Sequence, residues 1–128
     1  MRSLAALMII STLSAMSASA QNNPRPRMIS LVSVLASPSE FHRQRIEVVG
    51  YVHFEFEGDR LCLREEDHKA GLISNCFWLD ASGRTKDERK AVQDTYALVV
   101  GTFDATAHGH RGMFQGSFHS ISRLAPWR

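Results

Sequence analysis

The chain has 128 residues, of which 44% are hydrophobic and 22% are charged, and its formal net charge is +2 at pH 7. That length accommodates one domain and not two, with a core large enough to fold without help from a metal ion. Because the charge is nearly balanced and most basic residues are scattered singly, the composition argues against a protein that binds nucleic acid mainly through its phosphates.

The first 20 residues are typical of a secretory signal peptide. Arg2 supplies a positive charge, residues 4–13 form a short apolar run, and residues 18–20 are the small residues that a signal peptidase recognises. The apolar run is shorter than the about 20 residues that a membrane-spanning helix needs, and an uncleaved anchor is the alternative. We therefore expect a mature chain that begins at Gln21, has no membrane span and is periplasmic or secreted.

Residues 21–27 are polar and contain two prolines, which predicts a disordered leader. The domain that follows is predicted over residues 28–124. Its first element is a short helix within residues 28–36, because Ser30 is placed to cap it and the residue before Pro38 avoids helical angles.

Residues 46–57 carry the strongest strand pattern of the sequence. Apolar residues of one parity alternate with residues that become polar towards the end of the run; the apolar set is Val48, Val52, Phe54 and Phe56. Gly50 lies inside the run, where a missing side chain often marks a bend or a bulge. A long strand bent at its middle is typical of a small barrel, since it can serve two sheets.

Two further strands are predicted over residues 60–65 and 76–81, joined by a polar connection over residues 66–75. The cysteines lie on these strands, Cys62 on the second and Cys76 on the third. If they are bonded, they close a loop of about 15 residues, which the chain-entropy model credits with roughly 3 kcal/mol. An oxidising compartment favours the disulfide over the alternative of two buried, unpaired thiols.

The last third of the chain predicts a short helix and two strands. Thr85 and Glu88 match a capping box, in which hydroxyl and carboxylate each accept a hydrogen bond from the other's backbone N–H. A fourth strand over residues 96–105 and a fifth over residues 113–123 follow, separated by a glycine- and histidine-rich loop over residues 106–112.

This order of elements resembles the OB-fold, an all-β architecture with minor helix. The residues that carry the resemblance are the lead-in at 35–41, the bent strand at 46–52 and the fourth strand at 99–103. The resemblance implies a five-stranded Greek-key barrel with a short helix between strands three and four and a short N-terminal helix. It extends to small secreted bacterial OB-fold proteins and covers roughly residues 28–124.

The resemblance also implies where a ligand would bind, because OB-folds bind ligands between the loop joining strands one and two and the loop joining strands four and five. We therefore predict a non-enzymatic binding or interaction module of the bacterial cell envelope. The expected partner is an envelope protein or a glycan, and nucleic acid is not expected. The predicted contact residues are Tyr51, His53, Glu55, His108, His110 and Arg111.

A metal-binding protein is the alternative function. His108 and His110 offer two imidazoles to Zn²⁺ or Cu²⁺, with Glu55 or Asp104 available to complete the site. Two histidines alone do not make a site, and a solvated polar loop explains the same residues. The acidic residues around 55–67 could bind Ca²⁺ through their carboxylate oxygens, although their spacing matches no regular calcium-binding loop.

Two other interpretations of the polar and aromatic residues remain open. The positions of Tyr51, His53 and Trp78 on their strands allow exposure on one sheet face, as a stacking platform requires, but a second small core explains them without any ligand. Ser117 and His119 are residue types found in hydrolases, yet no nucleophile or metalloprotease motif accompanies them. We therefore do not expect an enzyme.

Overall fold

The computed structural model describes residues 24–128, so the predicted signal peptide lies outside the described residues. The strands of this part of the chain are β1 (Arg27–Met28), β2 (Arg45–His53), β3 (Arg60–Cys62), β4 (Cys76–Leu79), β5 (Thr95–Asp104) and β6 (Ser117–Pro126). The helices are α1 (Leu31–Ala36), α2 (Pro38–Phe41), α3 (Glu65–Lys69) and α4 (Lys86–Val92), with 3-10 turns at Ile73–Asn75 and His110–Gly112. Within this region no helix has the length and apolar character needed to cross a bilayer.

The strands close into a mixed β-barrel. They lie in the order β1-β2-β3-β4-β6-β5, and β2 also pairs with β5, so that a ring of five strands is completed with β1 added beside β2. Within the ring β4 and β6 are parallel and the other pairs are antiparallel. Helix α4 connects β4 to β5. The predicted five-stranded OB-like barrel is thereby confirmed.

The added strand β1 lies where the sequence analysis placed the end of the leader. Arg27 pairs with Ile46 and Met28 with Glu47, both parallel to β2. Both residues of β1 are exposed, and two residues are too few to show alternation. This strand therefore has no local pattern that the sequence could have shown.

The barrel is filled mainly by aromatic and β-branched side chains. The rings of Phe77, Phe103 and Phe118 are fully buried, and their centroids lie 5.2–5.6 Å apart. Two of these three pairs meet edge to face, the geometry that aromatic rings prefer. Leu31 and Val34 of α1 join this core. The short helix predicted within residues 28–36 is confirmed, and it buries one side against the barrel.

Both helix caps that the sequence indicated are present. Ser30 Oγ accepts a hydrogen bond from the Val32 N–H at 3.2 Å, and α1 ends at Ala36. Thr85 Oγ1 accepts from the Glu88 N–H at 3.1 Å while Glu88 accepts from the Thr85 N–H at 3.3 Å. These caps form from neighbouring residues alone, which explains why they could be predicted.

Strand β2 ends earlier than predicted, at His53 instead of residue 57. Its pairing with β3 also stops at His53, opposite Arg60. Beyond that point the Glu55 N–H donates to Asp59 Oδ1 at 3.0 Å, and Glu57 adopts a positive φ of 53°. The apolar–acidic alternation of residues 54–57 lies in a loop, so the prediction that the strand extends to residue 57 was wrong.

The polar connection predicted over residues 66–75 contains α3 and a 3-10 turn, and the second strand is correspondingly shorter. Residue Asp67 of α3 is only 2% exposed, and its Oδ1 accepts a hydrogen bond from Asn75 Nδ2 at 3.0 Å. The helix has no apolar stripe, because its residues are EEDHK. Sequence periodicity therefore could not reveal it.

Candidate functional site

The two cysteines form a disulfide between adjacent strands. Cys62 of β3 and Cys76 of β4 are register partners and are bonded, and both are fully buried. The predicted disulfide is confirmed. Helix α3 and the first 3-10 turn lie in the loop that this bond closes, so the bond restricts where α3 can sit. A disulfide fits an oxidising compartment.

Two loops meet beside the barrel. The hairpin loop (residues 54–59) joins β2 to β3, and the histidine loop (residues 105–116) joins β5 to β6. His110 Nε2 lies 3.4 Å from Glu57 Oε2, and the Arg60 guanidinium lies over the Phe114 ring at 5.8 Å. These contacts bring together the two loops that the resemblance to OB-folds marked as a binding region.

The histidine loop is shaped by backbone contacts. Gly109 has a positive φ of 64°, and a Cβ there would lie 2.8 Å from Trp78. His108 Nδ1 lies 2.9 Å from the Phe114 carbonyl oxygen, to which a ring N–H at that position donates. Arg111 is exposed and has a φ of 56°. His108 therefore stabilises the loop, while Arg111 extends into solvent.

Large apolar side chains are exposed on both loops. Phe56, at the tip of the hairpin loop, is 92% exposed, and Met113 of the histidine loop is 44% exposed. Glu55 and Arg60 form an ion pair at the base of the hairpin loop, and Arg60 Nε donates to the Gly58 carbonyl at 2.9 Å. The tip is thus held in position with its aromatic side chain in solvent.

Tyr51 is buried, in contrast to its predicted role in ligand contact. It is 4% exposed, and its ring packs against those of Tyr96 and His68 at centroid distances of 5.6 and 5.7 Å. Burial, followed by the negative charge of Asp94, raises the pKa of the Tyr51 phenol. Trp78 packs instead on Phe114 at 5.4 Å. These contacts favour the interpretation of the aromatic residues as secondary packing outside the barrel.

His53 belongs to a cluster with His68 and Asp94, named here the His–His–Asp cluster. Each residue offers one ligand atom, and these atoms lie within 4.8 Å of one another. His53 Nδ1 lies 2.5 Å from Asp94 Oδ1, and the His53 and His68 rings are 4.1 Å apart. Burial, followed by the nearby His53 and Arg60, lowers the pKa of His68.

Glu55 links this cluster to the hairpin loop. Its Oε2 lies 3.8 Å from His53 Nε2, while Oε1 pairs with Arg60. The predicted residues His53 and Glu55 therefore adjoin one another, and His110 contacts the hairpin loop through Glu57. Within residues 24–128, the group of three metal-ligating side chains is the His–His–Asp cluster. The predicted metal candidates His108 and His110 do not belong to it.

Sequence reasoning missed His68 and Asp94 as members of a site. His68 falls in the polar connection predicted over residues 66–75, and Asp94 lies just before the predicted fourth strand. The three members of the cluster lie on β2, on α3 and in the turn before β5, so no spacing motif connects them. The one available indication was that His68 lies between the two cysteines, whose bond holds its helix against the barrel.

No protein-family model matches this chain, and no curated protein matches it. The fold alone does not decide the function, since OB-like barrels host unrelated activities. The geometry of the two loops and of the His–His–Asp cluster is therefore the basis for a function.

Proposed function

We propose that this chain is a non-enzymatic interaction module of the bacterial cell envelope, exported to the periplasm or secreted. Its contact surface would be the pair of loops, with Phe56, Arg111 and Met113 as the main contact residues. The single observation that carries this proposal is the 92% exposure of Phe56 at the tip of a loop held in place by its neighbours.

The chemistry of this surface favours a protein partner. Phenylalanine, methionine and arginine are enriched at the cores of protein interfaces, and a single anchoring aromatic residue often supplies much of the binding free energy. Arg111 adds an exposed positive charge on the same loop as Met113. We therefore favour an envelope protein over a glycan as the partner.

Export is supported by two features. The N-terminal 20 residues are typical of a signal peptide, and the buried Cys62–Cys76 bond is of a kind that persists in oxidising compartments. We also place the chain among small secreted bacterial OB-fold proteins on the basis of its barrel. The sequence of the two loops contains no known catalytic motif, and we assign the loops a role in binding and not in catalysis.

The first experiment isolates the exported protein from a bacterial host and identifies its partner. A photo-crosslinking residue is placed at Phe56 or Arg111, and at Val32 of α1, which is 62% exposed, as a control. A single envelope protein crosslinked from the loops but not from Val32 supports the proposal. Mass spectrometry of the same sample should show loss of residues 1–20 and a deficit of about 2 Da for the disulfide.

The second experiment measures the affinity for that partner in the double variant Phe56→Ser/Arg111→Ala. We expect affinity to fall by at least about tenfold, since truncating an anchoring side chain costs about 2 kcal/mol or more and a tenfold change corresponds to about 1.4 kcal/mol. The melting temperature should not change, because both side chains are exposed. Unchanged affinity, or equal crosslinking from Val32, would contradict the proposal.

The alternative of a metal-binding histidine loop has less support. His108 Nδ1 is occupied by the Phe114 carbonyl, and His110 contacts the single carboxylate of Glu57. A structural Zn²⁺ site needs four ligands, and a catalytic site needs three.

A further inference from the structure

We propose that His53, His68 and Asp94 form a binding site for one Zn²⁺ ion. This site differs from the proposed loop surface in its ligand, since it would bind a metal ion and not a partner protein. The sequence suggested a metal site at His108 and His110 of the histidine loop, whereas the proposed site is the His–His–Asp cluster, whose members are brought together by the fold.

The geometry of the cluster is close to that of a metal site. Zn²⁺ bound by imidazole nitrogen and carboxylate oxygen at about 2.0–2.1 Å has its ligand atoms about 3.3 Å apart. The three ligand atoms here lie within 4.8 Å of one another, and His53 Nδ1 and Asp94 Oδ1 are 2.5 Å apart. A Zn²⁺ ion bound by both His53 Nδ1 and Asp94 Oδ1 would move these atoms about 0.8 Å further apart and take the place of the hydrogen bond between them.

A second observation concerns His68 itself. Its Nδ1 is buried and forms no hydrogen bond with any residue of the described chain from 24 to 128. Nearly all buried polar atoms in proteins have a partner, so an unpaired ring nitrogen requires an explanation. A bound cation would give this imidazole a partner.

The backbone at His53 and Asp94 is fixed by direct hydrogen bonds. The Asp94 N–H donates to the Val52 carbonyl at 2.9 Å. The side chain of Gln93 accepts from the Phe54 N–H at 2.8 Å and donates to the Phe54 carbonyl at 3.1 Å. These bonds hold the end of β2 against the turn before β5, and therefore hold two of the three ligands in place.

The third ligand is positioned by the disulfide loop. His68 lies on α3, inside the segment that Cys62 and Cys76 close, and the buried Asp67–Asn75 hydrogen bond ties the helix to the end of that segment. A preformed arrangement lowers the entropy cost of collecting the ligands. The fold thus supplies a partly ordered site before any metal arrives.

The ligand types select the metal. Two imidazoles and one carboxylate suit Zn²⁺ and Cu²⁺, whereas Ca²⁺ and Mg²⁺ prefer sites made of oxygen ligands. Three protein ligands leave a fourth position of tetrahedral Zn²⁺ for water or for a group of another molecule. Cu²⁺ should bind more tightly than Zn²⁺, as expected from the order of affinities of divalent ions.

The test titrates the exported, chelator-treated protein with ZnCl₂ by calorimetry. We expect one ion per chain. The affinity should be at least about tenfold weaker in each of His53→Gln, His68→Gln and Asp94→Asn, because losing even a residue that only supports a metal ligand weakens binding by about tenfold or more. His42→Gln is the matched control. His42 Nδ1 also faces a carboxylate, that of Asp104 at 3.6 Å, but within residues 24–128 it belongs to no group of three metal-ligating side chains. His108→Gln/His110→Gln tests the loop.

A readout on the wild-type chain avoids any dependence on the folding of the variants. Long-range ¹H–¹⁵N spectra of the imidazole rings should show shifts at His53 and His68 when ZnCl₂ is added, and none of similar size at His108 and His110. The absence of stoichiometric Zn²⁺ binding would overturn the proposal. So would binding that is lost in His108→Gln/His110→Gln and kept in His68→Gln.

Discussion

Gly50 shows how one residue without a side chain lets three elements approach one another. A Cβ at this position would lie 2.5 Å from Leu31 Cδ1 of α1 and 2.7 Å from the Cys62 carbonyl oxygen of β3. The register of β2 with β5 runs without a shift from Arg45 to Val52, so Gly50 makes no bulge in that pairing. The glycine is required for close packing, at the point where pairing with β3 begins.

Gly50→Ala should therefore lower the free energy of unfolding. The methyl group meets a backbone carbonyl that cannot move independently, and overpacking of this kind costs about 1–3 kcal/mol. Urea denaturation followed by circular dichroism measures the loss. Gly83→Ala is the control, because nothing lies within 4 Å of its added Cβ. Equal stability of the two variants would show that the barrel relaxes around position 50.

At the scale of elements, local sequence patterns predict most strands and helices in their correct order, but they do not predict helix α3 or its position. The alternating residues of β2 and the capping box of α4 act over a few neighbours, so they are visible in the sequence. Helix α3 has three acidic residues in its first turn and one buried residue, Asp67. It is held by contacts with distant residues, among them Asn75, and by the disulfide beside it.

Removing the disulfide should release this segment and destabilise the whole domain. For the double variant Cys62→Ala/Cys76→Ala, we expect the free energy of unfolding to fall by roughly 3 kcal/mol, because the unfolded chain regains loop entropy. Amide hydrogen exchange should accelerate most between residues 63 and 75, with β5 as the internal control. A variant that unfolds at the same urea concentration as the wild type would contradict this expectation.

At the scale of the whole molecule, ionisable groups with shifted pKa values make stability depend on pH, and His68 and Asp104 are two of those among residues 24–128. The pKa of His68 is lowered in the folded protein by burial and then by His53 and Arg60, so the unfolded chain binds a proton more readily. The pKa of Asp104 is lowered by hydrogen bonds from the hydroxyl and the backbone N–H of Thr106. Folding therefore favours the neutral imidazole and the ionised carboxylate, and both contributions are present at neutral pH.

The free energy of unfolding should accordingly fall in two steps as the solution is acidified. The first step begins as pH drops below about 7.5, close to the ordinary histidine pKa of about 6.5. It is complete only below the lowered pKa that His68 has in the folded protein. It should be smaller in His68→Gln, measured with a chelator present to exclude metal effects. The second step begins below about pH 4, the ordinary range of aspartate. Asp104 contributes to it, and Asp59 opposes it because burial raises the pKa of the Asp59 carboxyl in the folded protein. An equally steep first step in His68→Gln would contradict the role assigned to that residue.

The sequence by itself determined the order of strands and helices, because alternation, turns and caps are properties of neighbouring residues. The barrel was predicted from the resemblance of that order to the OB-fold. The cysteine pair could be favoured from compartment and spacing, and the structure confirms it. Where alternation continued past the end of pairing, at residues 54–57, the same local pattern was misleading. Strand pairing ended there because β3 offers no partner beyond Arg60.

Only the tertiary structure decided which polar residues meet. His53, His68 and Asp94 come from three separate elements, and Glu57 reaches His110 across two loops. Such contacts depend on barrel closure and on the position of α3, which local patterns do not encode. The physical reason is that a ligand set is specified by distances in space, whereas the hydrophobic pattern of a sequence specifies only which side of an element is buried.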